Sequence, residues 1–200
     1  MNVKRWIVVA ACCTAVSMPA AIWAQNEKPQ TEKPKMAVEG TPIAPGDSLT
    51  TMMGQFSSEF IGAADAMPAD KYDFAPTTGE FKGVRTFGEQ VRHVAQANYF
   101  FFKGWGVAGE IDPKTLDSLK TKDDLMKALR DSFKFANDAI NSITTQNAFT
   151  ALKAPEKYKA TRASMAALAM AHAMDHYGQL VVYLRMNGII PPASRPGNNM

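Results

Sequence analysis

The chain holds three histidines, and each lies in a stretch with a helical pattern. His172 and His176 stand four apart in AMAHAMDHYGQLVVYL, and His93 sits in TFGEQVRHVAQANYFF. Residues four apart on an α-helix lie one above the other on the same face, a spacing that suits two imidazoles on one divalent cation. A third imidazole from a neighbouring helix would complete a facial triad. Three neutral imidazoles favour zinc, nickel, iron or copper and leave a fourth position for water or substrate. The competing reading is three core-boundary histidines hydrogen-bonded to their neighbours. Two adjacent buried imidazoles must in either case find partners or share a cation.

Other chemistry is narrower. A zincin protease needs Glu directly after the first histidine as its general base; Ala173 stands there, which disfavours peptide hydrolysis by that route. Asp175 adjoins His176 but is turned about 100° around the helix, so it is either a carboxylate supporting an imidazole or an ordinary solvated one. Glu89, one turn before His93, fits a capping box better than a ligand. The aromatic group Tyr99, Phe100, Phe101, Phe102 and Trp105 reads as core, with a ligand pocket as the alternative. Tyr72 and Phe74 lie in a long loop that can cover the bundle end.

Four helical patterns must position these residues, with no strand run and no internal repeat. The first spans roughly 47–67, with Asp47 or Ser48 as N-cap and Leu49, Met52, Met53, Phe56, Phe60 and Ile61 at helical spacing. Pro68 ends it. A loop of about 18 residues, punctuated by Pro and Gly, follows, and its length hints at functional coverage. The second helix covers about 86–103, opened by a Thr86/Glu89 capping box. The third covers about 122–143, started by Thr121 and Asp124, with Leu125, Leu129, Phe133, Ala136 and Ile140 as its apolar stripe. The fourth covers about 159–186 and ends at Asn187-Gly188, with Pro191-Pro192 beyond. On it Met165, Leu168, His172, His176 and Tyr183 share a face. These lengths predict an all-α domain, a four-helix bundle whose metal sites would be built from inward side chains on facing helices.

The first 24 residues read as a secretory signal peptide. Lys4 and Arg5 precede the apolar run Ile7 to Trp23, and cleavage fits after Ala24. The run is too short and wrongly flanked for a stable membrane anchor. Both cysteines, Cys12 and Cys13, fall inside it, so residues 25–200 offer no disulfide and no thiolate ligand. Such a chain suits an oxidising compartment, periplasmic or extracellular. Losing Lys4 and Arg5 takes the formal charge from +3 to +1, and no Lys/Arg cluster suggests a nucleic-acid partner. Residues 25–46, rich in Pro, Lys, Glu and Gly, read as a flexible tether. The domain is then 47–195, ample for a hydrophobic core.

Three features together carry a family resemblance: KYDFAPTTGEFKGVRTFGEQVRHVAQANYFF, the DHYGQLVVYLRMNGIIPPAS segment, and the spacing between them. The chain resembles the DinB-like, or DNA-damage-inducible, four-helix-bundle superfamily over nearly all of 47–195. In that family one histidine on the second helix and two, four apart, on the last bind a divalent metal. His93, His172 and His176 fall on those positions, so the resemblance implies a zinc, nickel or iron site with these three ligands. It also implies a metal-dependent transferase or hydrolase acting on small thiols or electrophiles, since characterised relatives include thiol transferases and a maleylpyruvate isomerase. The alternative is a non-catalytic metal-binding module that takes a structural or ligand-binding role. Pairing as a homodimer is a further implication of the family, and DNA binding is not expected despite its name.

Overall fold

The structure, a computed structural model, describes residues 35–197. The expected signal peptide and the tether residues 25–34 lie outside the described residues. Residues 35–44 are exposed and carry no helix. The helices are α1 (Pro45–Ala66), α2 (Phe87–Phe101), α3 (Lys122–Asn141) and α4 (Arg162–Met186), joined by segments with short 3-10 turns. Among the described residues the only β pairing is an isolated bridge between Ala151 and Thr161. The fold is therefore the expected all-α four-helix bundle. No helix among the described residues is long and apolar enough to cross a membrane.

The helix ends show where local chemistry sets the boundaries. α1 starts at Pro45, earlier than Asp47, and its N-cap is Ala44 rather than Asp47 or Ser48. A proline at the first helical position lacks an N–H that would be orphaned there anyway, while the Gly46 N–H donates to the Ile143 carbonyl at 3.1 Å. Asp47 instead places its charge in the first turn, against the positive end of the helix. α2 has the expected capping box: the Thr86 N–H donates to Glu89 Oε2 (2.9 Å) and the Glu89 N–H to Thr86 Oγ1 (3.2 Å). Thr121 accepts the Asp124 N–H at 3.2 Å to start α3.

α4 begins later than the expected 159, for two reasons. Lys159 has φ 45°, a left-handed conformation that cannot continue a helix. Thr161 and Ser164 then cap each other's backbone N–H groups, at 2.9 and 3.2 Å. At its far end Gly188 is left-handed (φ 72°). The Ile189 N–H reaches the Leu184 carbonyl and the Gly188 N–H the Arg185 carbonyl, both at 3.0 Å. This is a Schellman closure that only a residue tolerant of positive φ completes.

α1 packs against α3 and α4, and α2 packs against the same two. The α1–α2 and α3–α4 pairs are therefore diagonal, and the chain between each pair crosses an end of the bundle. The core is filled by Phe60, Phe87, Phe133, Leu129, Leu180 and Leu184, with the Phe60 and Phe133 rings 5.9 Å apart across α1 and α3. The α1–α2 crossing is tied down as expected: Tyr72 is buried and its hydroxyl donates to the Ala64 carbonyl at 2.8 Å. The Phe87 and Gly88 N–H groups donate to the Phe74 and Tyr72 carbonyls at 2.8 and 2.7 Å. Three of the expected apolar positions are exposed instead: Met52 at 46%, Phe100 at 68% and Leu168 at 49%. Phe100 and Leu168 border a surface cavity.

Close approach, rather than φ, requires glycine at position 46, where a Cβ would lie 2.6 Å from the Asn141 carbonyl oxygen. Gly46→Val is expected to cost about 1–3 kcal/mol through overpacking against backbone, read as a lower urea midpoint. Gly54 is exposed within α1 and a Cβ there meets nothing within 4 Å. Gly54→Ala is expected to raise stability by about 0.5–1 kcal/mol. A Gly46→Val protein as stable as the parent would refute the packing of α1 onto the end of α3.

Candidate metal centre

The three histidines meet where α2 faces α4. His93 lies two turns beyond the α2 capping box, and His172 and His176 occupy consecutive turns of α4. The ring centroids are 5.0 Å apart for His93–His172, 4.8 Å for His93–His176 and 4.5 Å for His172–His176. One ligand atom from each lies within 4.8 Å of the others, and His93 Nε2 and His172 Nε2 are 3.1 Å apart. Met165 is half-buried and Leu168 exposed, so the α4 face expected to be uniformly inward turns inward only from the histidines onward, with His176, Leu180 and Tyr183 buried.

Burial makes all three rings poor bases. His176 is 6% exposed. Burial, reinforced by His172 and His93, lowers its pKa to about 4, against a smaller opposing pull from Asp175. Burial also lowers His93 to about 4, helped by the Arg85 guanidinium and by His172. His172 is lowered by burial and Arg85, with Asp175 pulling the other way. At neutral pH the cluster is therefore three uncharged imidazoles, the protonation state a cation needs.

The donor set fits a divalent ion. Two imidazoles on a tetrahedral ion, each about 2.0–2.1 Å from it, place their nitrogens roughly 3.3 Å apart, close to the 3.1 Å between His93 and His172. An N–H···N bond between those two rings would satisfy only the pair. His176 Nδ1 is buried with no hydrogen-bond partner, which such a pair leaves unexplained. His93, His172 and His176 are the residues that can hold an ion here.

The surroundings correct and extend the sequence reading. Asp175 is exposed and accepts a bond from Gln179 Nε2 at 3.1 Å, so it behaves as a surface carboxylate. Glu89 is the capping residue, 3.8 Å from the Arg92 guanidinium. The aromatic group divides: Tyr99, Phe102 and Trp105 are buried, Phe100 is exposed, and Phe101 sets its ring edge-on to His172 at 5.4 Å. Three contributors were not singled out from sequence. Gln90, one turn before His93, donates from Nε2 to Oε1 of Gln179 at 2.6 Å, one turn beyond His176. Their i, i+3 relation to the histidines was available in the sequence. Arg85 was not, because its place depends on the loop, whose backbone carbonyl is held by the Tyr183 hydroxyl at 3.1 Å. A cavity of about 550 Å³ opens against His93, lined also by Gln90, Gln179, Arg85, Arg92 and Glu89.

The sequence profile of the DinB superfamily matches residues 55–180. A search among curated proteins finds no match. The matched span runs from within α1 to within α4 and includes all three histidines, and the chain belongs to the DinB superfamily.

Proposed function

We propose that the chain binds one divalent metal ion, zinc, nickel or iron, through His93, His172 and His176, and uses it in a transferase or hydrolase reaction on a small thiol or electrophile. The observation that carries this reading is the convergence of three uncharged imidazoles, one with an orphaned buried nitrogen, beside a polar cavity. When bound, the ion would supply a Lewis acid that lowers the pKa of a thiol or water. The residues around it do the rest. Gln90 and Gln179 join α2 to α4 one turn from the rings and hold the histidines in register. Arg85 adds positive charge to the cavity, which draws in anionic reactants and disfavours imidazolium, while the charge of Arg92 is answered by Glu89. Phe101 shields one edge of His172 from water.

A purely structural cation is the weaker reading, because the Gln90–Gln179 bond already ties the two helices that the ion would tie. We also read the chain as exported, on the strength of Lys4, Arg5 and the apolar run that follows. The absence of cysteine from 25–200 supports the same reading.

Elemental analysis of the purified protein is expected to give about one equivalent of divalent metal and the His172→Ala/His176→Ala variant essentially none. A parent that stays empty after reconstitution with zinc, nickel and iron in turn would end the metal reading, and the enzyme reading with it. A second expectation concerns the metal-free protein. Its rings resist protonation until about pH 4 for His93 and His176, whereas unfolded histidine takes up a proton near 6.5. Below pH 6.5 the unfolded state therefore binds more protons than the folded one, and stability falls as pH drops toward 4. With metal chelated, the urea midpoint should decline through that window in the parent and less steeply in the double variant. Equal slopes would show that the rings are not buried as uncharged groups.

A further inference from the structure

A larger cavity lies on the other side of Phe101, outside the histidine centre. It has a volume of about 960 Å³ and sits between the end of α2, the start of α4 and the segment 151–161. That segment is a strap: the Leu152 N–H donates to the Ala160 carbonyl at 2.8 Å, and Lys159, in its left-handed conformation, turns the chain back toward α4. The volume falls within the range of small-molecule sites, about 300–1,000 Å³.

Its walls are aromatic and aliphatic, including Phe101, Trp105, Tyr158, Met165 and Leu168. Leu168 is 49% and Tyr158 66% exposed, so apolar surface that the core does not claim is gathered around one concavity. Three cations also line it, Lys103, Lys153 and Arg162, and no carboxylate does. Arg162 is fixed: its guanidinium carbon stands 4.6 Å over the Trp105 ring while Nη1 donates to Ser142 Oγ at 2.9 Å. Lys103 and Lys153 are exposed and have no ion-pair partner among the described residues. The one acid bonded at this edge, Glu110, accepts the Gly104 N–H at 2.9 Å and does not line the cavity.

Apolar walls with unpaired positive charge at the rim recognise one chemical class. We propose that this cavity binds a small aromatic carboxylate, its ring against Phe101, Trp105 and Leu168 and its carboxylate toward Lys103 and Lys153. A neutral analogue would gain the same apolar burial but leave the lysines unanswered, and a cation would be repelled. A bound ring would touch Phe101, whose own ring edge contacts His172. The site is thereby adjacent to the histidine centre without depending on it.

Trp105 gives the test a built-in reporter. The chain has three tryptophans, Trp6, Trp23 and Trp105, so the full chain carrying Trp6→Phe and Trp23→Phe emits from the cavity wall alone. Titration with 4-phenylbutyrate, which is transparent where tryptophan is excited, should change this emission saturably. The neutral 4-phenylbutan-1-ol should bind about five-fold or more weakly, the scale expected for two partly solvated charge pairs. Lys103→Gln/Lys153→Gln should bring the acid down to the level of the alcohol and leave the alcohol unchanged. Leu168→Glu, at a position half exposed to solvent, should weaken the acid further. Chelation, or the His172→Ala variant, should leave the acid's affinity intact, so a failed metal reading would not touch this one. No saturable emission change, equal affinity for acid and alcohol, or indifference to the lysine pair would each overturn the proposal.

Discussion

The meeting of α2 and α4 rests on keeping three imidazoles uncharged. A buried imidazolium would need a counter-ion, and among the described residues no carboxylate hydrogen-bonds any of these rings. Asp175, the acid beside His176 in sequence, turns outward to Gln179 instead. The seam is therefore held by neutral contacts: the Gln90–Gln179 bond, the edge-on packing of Phe101 on His172, and burial of His176 above Leu180. Each depends on α2 and α4 keeping one rotational phase. A slip of one residue, about 100° around a helix, would carry a histidine and its neighbouring glutamine off the seam together.

That phase is set at the helix starts. The capping box fixes Thr86 as the entry to α2, two turns before His93, and the Tyr72 and Phe74 carbonyls accept the next two N–H groups. The crossing loop therefore both ends α1 and aims α2. On α4 the capping pair Thr161 and Ser164 defines the start and the Schellman closure the end, so the span carrying His172 and His176 is bounded at both ends by specific hydrogen bonds. The diagonal connections follow from the same arrangement. Because α1 and α2 do not neighbour each other, the connection must pass over the bundle end, and buried Tyr72 packs there edge-on against Phe87.

Much of this was legible in the sequence because it was periodic or local. The four helices, the Thr86–Glu89 box and the Asn187-Gly188 end each depend on residues within one turn of one another. The three histidines were legible for a related reason, since an i, i+4 pair declares a face whatever the tertiary context. Contacts set by the fold were not. Asp47 looks like an N-cap, yet Pro45 starts α1 earlier, because α1 extends until its first turn meets the Ile143 carbonyl. Lys159 fits a helical pattern until its backbone proves left-handed. Leu168 and Phe100 have the spacing of core residues, but both are exposed and border a cavity instead. Arg85 lies on a loop, where periodicity carries no information.

Charge links the two cavities that flank this seam. A dication on three neutral ligands would keep its full charge, and on the side of His93 the cavity lining holds Arg85 and Arg92 against one carboxylate, Glu89, which stands 3.8 Å from Arg92. On the far side of Phe101 the lining holds Lys103, Lys153 and Arg162 and no acid. Yet the chain as a whole is almost balanced, with 22 basic and 19 acidic residues. The positive lining is thus a local concentration and not a reflection of composition. Two surface acids of α3 are instead paired within their own helix, Asp131 with Lys127 and Asp138 with Lys134, both at 2.6 Å. The two cavities therefore differ in kind: beside His93 a carboxylate, Glu89, offsets part of the positive lining, whereas beyond Phe101 apolar walls meet lysines that no acid answers. A charged group on a large apolar body is thus matched by the second cavity and not by the first.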